Sequence, residues 1–371
     1  MIFFNLINEP VFFLFTAGFA FLLVYLGIPS IIHIANVNQL FDCHNVIRKN
    51  HSYGISRLGG IAVSASLIIT TLLFSNFLEY KTSNYLITSF ILIFAVGLKD
   101  DLWGVNTSTK FFMQLFSALT IVVLADIRIT DLQGIFGIHN LPYYASVIFS
   151  TVLIIFITNS FNLIDGVDGL VGMTSLLVST SFGVFLAIMG MHGYASLAFT
   201  ISGASLAFLV FNLSPARIFM GDAGSLLLGL VAAVLAIKFV QANISTNLVQ
   251  ARFSSAPAIA IAVLIGPIFD VLRVFFLRII NKRSPFVADV NHTHHRLLRL
   301  GFNHSQTTFI LISINNFLLA TVIYFREVDN AVLIGMLFCF CIFFNVCLTY
   351  SLFLKERKFY KPVSQGQLVR S

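Results

Sequence analysis

The sequence predicts an all-α, polytopic membrane protein of about eleven transmembrane helices, with the ninth helix broken near Gly266-Pro267. Of its 371 residues, 58% are hydrophobic and only 10% are charged, whereas a soluble domain carries about a quarter charged residues. The apolar residues form blocks long enough to cross a bilayer, which takes about 20 residues per helix. No repeat, low-complexity tract or Pro/Ser-rich linker divides the chain, so residues 1–371 are predicted to form a single integral membrane domain.

The first predicted helix, 10–33, follows an N-terminus that has no Lys or Arg. A cleavable signal peptide has a basic start, so this block is expected to be retained as a helix. The remaining helices are predicted at 58–78, 85–99, 110–127, 143–160, 169–190, 193–212, 223–240, 256–280, 306–325 and 331–354.

The ninth of these blocks contains Pro267, which removes a backbone donor and clashes with the preceding turn. A break at membrane depth is tolerated where the freed groups face protein or a wet groove. We therefore expect this helix to bend or split, with its second half running out into the cytoplasm. Such a bend would also form a groove for a lipid tail.

The distribution of Lys and Arg predicts the orientation. Sixteen of the 22 lie in loops after odd-numbered helices or in the tail at 355–371, and four lie on the other side: Lys81, Arg128, Arg252 and Arg326. Cytoplasmic loops carry the excess of positive charge, so the N-terminus is predicted outside and the C-terminus inside. The net charge of +7 is then a topology signal and a contact with an anionic membrane surface, not a nucleic-acid footprint.

Five aspartates lie at helix ends or in short loops on the predicted cytoplasmic side: Asp100, Asp101, Asp165, Asp168 and Asp222. An ionised carboxylate near hydrocarbon is expensive and is functional by default. The adjacent pair Asp100-Asp101 is repulsive unless a cation or a proton lies between the two carboxylates. A hydrated helix end, with Lys99 balancing the charge, is the alternative interpretation of this pair.

Two further segments carry oxygen ligands. In Asn162-Leu-Ile-Asp165-Gly-Val-Asp168-Gly the polar side chains recur every third residue, which places them on one side of a helix or tight turn. Their amide and carboxylate oxygens suit Mg²⁺, although an ordinary Asp/Gly-rich turn is the alternative. Asp222 lies at the start of the eighth helix, where free N–H groups and the dipole favour anions. A simple N-cap role is the alternative for Asp222.

The longest predicted cytoplasmic loop, NKRSPFVADVNHTHHRLLRLG, is rich in the donors and cations that bind a diphosphate: Lys282, Arg283, Asp289, His292, His294, His295, Arg296 and Arg299. A zinc site is a weaker alternative, because H-x-H-H comes without cysteines. A solvated basic loop at the lipid head groups is another. The other histidines considered, His33, His139, His192 and His304, are expected to be structural or to lie at the surface.

Four strings in this order, KDD, NLIDGVDGL, FN-x-x-PA-x-x-FMGDAGS and SPF-x-x-D-x-NH-x-HH, resemble the polyprenyl-phosphate N-acetylhexosamine-1-phosphate transferases of glycosyltransferase family 4. This family belongs to the superfamily of phospho-N-acetylmuramoyl-pentapeptide translocase, and the resemblance covers roughly residues 15–330. Each string alone is weak, but four in order are specific. The H-x-HH loop is similar to that of the branch that uses UDP-GlcNAc or a related UDP-HexNAc, since Thr293 interrupts the three consecutive histidines typical of the muramoyl-pentapeptide branch.

The resemblance implies a role for each matching residue. Asn162 and Asp222 match ligands of Mg²⁺, for which Mn²⁺ is a substitute, and Asp100 and Asp101 match the pair beside the reacting phosphates. The positions that match the nucleotide and sugar pocket are Asp165, Asp168, Asn212 and Phe219. His292, His294 and His295 match the histidines on the diphosphate side, where they and Lys99 are expected to offset negative charge.

The implied activity is transfer of N-acetylhexosamine 1-phosphate from a UDP-sugar to undecaprenyl or another polyprenyl phosphate, with release of UMP. It would be the first membrane step of a surface polysaccharide or cell-envelope glycan, in the plasma (inner) membrane, and the family also suggests a homodimer. A phosphate monoester is mostly dianionic at neutral pH, which favours direct attack over an aspartyl-phosphate intermediate.

Two other classes of protein remain as alternatives. A transporter of a small anion or lipid fits the span count and the broken helix, but the carboxylates gather at one membrane face and no inverted repeat is visible. A metal-dependent lipid pyrophosphate hydrolase would use the same aspartates with water as the acceptor.

Overall fold

The computed structural model describes residues 8–41, 54–74, 80–245, 253–282 and 291–359, and within these ranges the chain is all-α. The helices are α1 Glu9–Val37, α2 Gly59–Phe74, α3 Tyr80–Trp103, α4 Thr107–Leu119, α5 Tyr143–Leu163, α6 Leu170–Ile188, α7 His192–Asn212, α8 Gly221–Ser245, α9 Ala256–Ile280, α10 Thr293–Leu300, α11 His304–Tyr324 and α12 Asn330–Phe359. A π-helical turn, Thr120–Leu124, extends α4, and a short 3₁₀ turn, Ile135–Gly137, precedes α5.

Each of the eleven predicted apolar blocks coincides with a helix, which confirms the predicted fold class. In the described part of the chain, nine helices are long and apolar enough to cross a membrane, and α2, α3 and α10 are not among these nine. The protein is a multi-pass membrane protein. Helix α10 was not among the eleven predicted helices; it lies in the long loop between α9 and α11. Arg283 and Asp289 of that loop lie outside the described residues.

Helix α8 forms the centre of the bundle and is almost wholly buried. Its first turn packs against α2 and α3 through glycines, because small residues let helix backbones approach closely. A Cβ on Gly60 would overlap the backbone of Gly224, and a Cβ on Gly97 would lie 2.7 Å from the Cα of Ala223. These contacts hold the end of α3 and the start of α8 together.

The prediction for α9 was a bend or a split at Gly266-Pro267, and the split is wrong. The helix is continuous from Ala256 to Ile280, although Pro267 cannot donate to the carbonyl of Val263. Asn315 of α11 replaces the missing bond: its Nδ2 donates to the carbonyls of Ala262 (3.1 Å) and Val263 (3.3 Å), and its Oδ1 accepts from the N–H of Gly266 at 3.1 Å. A neighbouring helix thus satisfies backbone groups that would otherwise favour a break.

Candidate active site

Four aspartates meet at the first turn of α8 and form the carboxylate cluster, defined as Asp100, Asp101, Asp165 and Asp222. Asp101, at the end of α3, accepts hydrogen bonds from the N–H groups of Asp222 and Ala223, both at 2.8 Å. Asp165, in the loop after α5, accepts from the N–H of Gly221 at 2.8 Å. These bonds satisfy the donors that a helix start leaves free. The carboxylates of Asp101 and Asp165 therefore cap the start of α8. The alternative that Asp222 acts only as the N-cap of this helix is wrong.

Gly221 makes this close approach feasible. Its φ is +69°, in the left-handed region that glycine adopts without a steric penalty. A Cβ at this position would overlap the carbonyl oxygen of Arg57 and would lie 2.8 Å from both carboxylate oxygens of Asp101. The glycine of the FMGD string is thus required by the fold of the cluster.

Lys110 supplies the positive charge inside the cluster. It is the fourth residue of α4, and its Nζ lies 3.0 Å from Asp100 Oδ2 and forms a second, short ion pair with Asp222 Oδ2. A helix start disfavours a cation, so its two carboxylate partners account for its position. Lys99 was predicted to balance the charge of this pair, but its side chain is exposed and makes no ion pair with the described residues.

Asp100 uses its other carboxylate oxygen locally. Its Oδ1 accepts a hydrogen bond of 2.6 Å from the N–H of Val105, in the turn between α3 and α4. The adjacent pair therefore divides its contacts: Asp101 holds the start of α8 with both oxygens, while Asp100 directs Oδ2 to Lys110.

Asn162, the last polar residue of α5, contacts the same aspartate from another side. Its Nδ2 donates to Asp222 Oδ1 at 2.7 Å and to Ser225 Oγ at 3.1 Å. The nitrogen and oxygen of such an amide are assigned from the hydrogen-bond network. A rotation of the amide would therefore present an oxygen to a cation held by Asp222.

These residues fit a divalent cation that shares its ligands with a substrate. Within the described ranges, no three His, Cys, Asp or Glu side chains converge as a metal cage. Mg²⁺ is commonly held by only one or two carboxylates together with waters and substrate phosphates, which matches Asp222 and Asn162. The ammonium of Lys110, between Asp100 and Asp222, shows that the position accepts a cation.

The pKa values of Asp165 and Asp168 are shifted in opposite directions. Burial raises the pKa of Asp165 well above its ordinary value, and the charges of Asp222 and Asp101 raise it further. Burial acts in the same direction on Asp168, but the hydrogen bond and charge of His304 outweigh it, so the pKa of Asp168 is lowered. His304 Nδ1 lies 3.1 Å from Asp168 Oδ1. His304 was predicted to be structural or to lie at the surface, and this contact with a predicted site residue was not predicted.

Asn212 does not have the position that the resemblance implied. It is 1% exposed, its Oδ1 accepts from the N–H of Gly169 at 2.9 Å, and its Nδ2 donates to the carbonyl of Ile218 at 2.8 Å. These two hydrogen bonds connect the NLIDGVDGL loop to the segment that precedes FMGDAGS. Asn212 therefore holds the two segments together and does not line a nucleotide and sugar pocket. Phe219 is half-buried, and its backbone bonds to Ser56 and Gly59 at the start of α2; its contact with a nucleotide stays a prediction.

The histidine loop, defined as His292, His294 and His295, lies against the NLIDGVDGL loop. A Cβ on Gly166 would lie 3.2 Å from His294 Nε2 and 3.7 Å from His295 Cε1, so the absence of a side chain there lets the imidazoles approach. Burial lowers the pKa of His294 to about 3. A lowered pKa disfavours the charged form of His294 in the absence of a phosphate; its role in offsetting phosphate charge stays a prediction.

The structure brings the predicted strings together, as the sequence required. The carboxylate cluster joins the KDD, NLIDGVDGL and FMGDAGS strings, and Gly166 joins the second of them to the histidine loop. The prediction that these loops share one end of the bundle is confirmed. Three residues that contact the predicted site residues were not predicted from the sequence: Lys110, His304 and Asp270, the last of which lies 2.9 Å from His292. The signal for Asp270 was a single acidic residue within an apolar helix.

Comparison with known proteins assigns the family. The model of Glycosyl transferase family 4 matches residues 83–240. The decaprenyl-phosphate N-acetylglucosaminephosphotransferase of Mycolicibacterium smegmatis is 30% identical over 315 residues, covering 78% of this chain and 77% of the relative. The undecaprenyl-phosphate alpha-N-acetylglucosaminyl 1-phosphate transferase of Salmonella typhi is also 30% identical over 315 residues, covering 84% and 80%.

The chain belongs to the polyprenyl-phosphate N-acetylhexosamine-1-phosphate transferase family. A probable undecaprenyl-phosphate N-acetylglucosaminyl 1-phosphate transferase of Bacillus subtilis is 28% identical over 323 residues, covering 85% of this chain and 87% of the relative. The region matched by the family model contains the whole carboxylate cluster, Lys110 and Asn162. The histidine loop lies beyond that region, so its place in the site rests on its contact with Gly166.

Proposed function

We propose that this protein transfers N-acetylhexosamine 1-phosphate, most simply GlcNAc 1-phosphate, from its UDP-sugar to a polyprenyl phosphate and releases UMP. The observation that carries the proposal is the convergence of four carboxylates, Lys110 and the histidine loop at one end of a membrane helix bundle. The names of the relatives support a polyprenyl phosphate acceptor. The excess of Lys and Arg supports a cytoplasmic location of this end in the plasma membrane.

In the proposed reaction, an oxygen of the lipid phosphate forms a bond to the sugar-bearing phosphorus of the UDP-sugar. The bond from that phosphorus to the UMP oxygen breaks. Such a transfer needs charge neutralisation and in-line positioning more than covalent chemistry. Mg²⁺ held by Asp222 and Asn162 would supply neutralisation of the diphosphate and of the leaving UMP.

The chain's own residues divide the remaining work. Asp101 keeps the first turn of α8 in place through its two 2.8 Å bonds, so it positions Asp222. Lys110 lies where it can pair with a phosphate oxygen when substrate separates it from Asp100 or Asp222. With Lys110 between the two anions, Asp100 or Asp101 would orient the lipid phosphate and would take its proton if the phosphate arrives protonated. A strong base is not required, because a phosphate monoester is mostly dianionic at neutral pH.

The polyprenyl tail needs an apolar path along the helix bundle, away from the carboxylate cluster. A cavity with about 600 Å³ of empty space lies between α5, α8 and α9, and its lining includes Leu153, Ile157 and Leu264. Asp131 is the one charged residue among the lining residues that the structure describes. Helices α5 and α8 also carry the proposed metal ligands Asn162 and Asp222, and the first α8 residue of this cavity, Ala236, lies about 21 Å along the helix from Asp222.

A single experiment separates this proposal from the other classes. Purified protein is incubated with UDP-HexNAc and Mg²⁺, with and without polyprenyl phosphate, and UMP is measured. Release of UMP that depends on the lipid supports transfer. Release without the lipid would indicate hydrolysis, and absence of release in both arms would favour a transporter.

Replacing Asp222 by Asn tests the proposed metal site. The Asp222→Asn variant should lose Mg²⁺-dependent exchange of labelled UMP into the UDP-sugar, because an amide neither carries the charge nor pairs with Lys110. Thermal unfolding of the variant in detergent serves as the control for folding. Undiminished exchange in a folded variant would remove Asp222 from the metal site, and a trapped phosphoaspartate would overturn direct attack.

A further inference from the structure

Asp270 is buried within α9 and directs its whole carboxylate to the histidine loop. Its side chain is 8% exposed. Oδ2 lies 2.9 Å from His292 Nδ1, and Oδ1 accepts from the N–H (2.8 Å) and the hydroxyl (2.6 Å) of Thr293. An ionised carboxylate in an apolar helix requires a partner. Here the partner is the segment that opens α10, 22 residues further along the chain.

This contact gives neighbouring histidines different chemistry. The carboxylate fixes Nδ1–H of His292 as the donor, and therefore leaves Nε2 as the nitrogen that can act on a ligand. With Nδ1–H bonded to Asp270, a hydrogen bond from Nε2 to a phosphate oxygen requires a ring that carries both protons. His294 stacks on His292 with ring centroids 5.5 Å apart and an interplanar angle of 5°, but its Nδ1 lies 3.9 Å from Asp270 Oδ2, too far for a hydrogen bond.

We propose that Asp270 is a positioning residue of the transfer, which holds His292 so that Nε2–H binds a phosphate oxygen of the UDP-sugar. The inference rests on the proposed function and deepens it, because it assigns the diphosphate contact to His292 among the histidines of the loop. The proton stays on His292, and the bonds made and broken are those of the transfer itself. His294 and Gly166 keep the stacked pair against the NLIDGVDGL loop, beside the carboxylate cluster.

A purely structural role is the competing explanation, since Asp270 also caps the start of α10 through Thr293. The two roles differ in what they affect. A positioning role acts through His292 and on the diphosphate. A capping role acts through Thr293 and on the folding of α10, and would alter both substrates together.

The test compares Asp270→Asn, His292→Gln, their double variant and the matched control Thr293→Val. In Asp270→Asn the new amide can still accept from Thr293, but the negative charge is removed and the bond to His292 is reversed. Loss of the carboxylate partner of a metal-ligating histidine typically costs on the order of 10–100-fold, and we expect the lower end of this range for a histidine that binds a phosphate. We expect Asp270→Asn to raise the KM for the UDP-sugar about tenfold, and to weaken thermal stabilisation by UDP by a similar factor. The KM for polyprenyl phosphate should stay within about twofold.

In the His292→Gln background, Asp270→Asn should have almost no further effect, because residues that act as one unit are not additive. Thr293→Val should keep UDP binding within about twofold of the wild type, since the bond between Asp270 and His292 remains. Multiplicative effects of Asp270→Asn and His292→Gln, or an equal loss in Thr293→Val, would overturn the proposal. If the wild type bound UDP but released no UMP, the transfer proposal would fail, and the UDP-binding arm would still decide the role of Asp270.

Discussion

Replacing Lys110 by Met removes the positive charge of the carboxylate cluster while keeping the length of the side chain. Lys110 pairs with both Asp100 and Asp222, and the three side chains are only 18–22% exposed. Removing one partner of a fully buried pair costs about 3–5 kcal/mol. With a discount for partial exposure, we expect Lys110→Met to lose about 2–3 kcal/mol of stability in the absence of divalent cations.

The assay is thermal unfolding in detergent, with EDTA or with Mg²⁺. Because Mg²⁺ at Asp222 can replace the lost ammonium, it should raise the unfolding temperature of Lys110→Met more than that of the wild type. Lys99→Met is the matched control, since an exposed lysine without an ion pair to the described residues should change stability by less than about 0.5 kcal/mol. An Asp100→Asn change should be less harmful in Lys110→Met than in the wild type. Equal unfolding temperatures of Lys110→Met and wild type in EDTA, or no extra gain from Mg²⁺, would refute the reasoning.

Two further variants test α9 and the tail path. Asn315→Leu should destabilise the protein by about 1–3 kcal/mol, because it leaves the N–H of Gly266 and the carbonyl of Val263 in α9 without their partner. The control is Asn281→Leu, which removes an exposed hydrogen bond at the end of α9. It should change the stability measured by thermal unfolding by less than about 0.5 kcal/mol. Leu153→Trp should fill the cavity between α5, α8 and α9 and raise the KM for polyprenyl phosphate, while the KM for UDP-sugar is unchanged. Leu311→Trp, which fills the cavity on the other side of α9, is its control, and an equal rise there would move the tail path to that side.

The helices could be predicted from the sequence because membrane length and hydrophobicity determine them locally. The acidic strings could likewise be placed at one end of the bundle, since the helix order and the Lys/Arg bias constrain which loops share a side. The partners of these acids could not be predicted. Lys110 and Asp222 are 112 residues apart, and Asp168 and His304 are 136 apart, so each pairing depends on tertiary packing that leaves no local pattern.

Helix α9 is a second case in which a distant residue decides the structure and the local sequence does not reveal it. Pro267 is a correct local signal for a missing hydrogen bond, and the local rule favours a bend or a split. The outcome depends on Asn315, 49 residues beyond Gly266, because its amide can both donate and accept at the gap. A prediction that uses only the residues around the proline does not take this side chain into account.

The hydrogen bonds also explain how four carboxylates can share one place. Both oxygens of Asp101 and one of Asp165 accept from the first N–H groups of α8, where the helix dipole favours negative charge. These backbone hydrogen bonds fix the positions of both acids at the turn. Asp100 and Asp222 share Lys110 instead, and their charge is the part that an added cation or a phosphate-bound metal can neutralise. The cluster thus separates acids that build the site from acids that remain available for chemistry, and residue type alone does not distinguish the two.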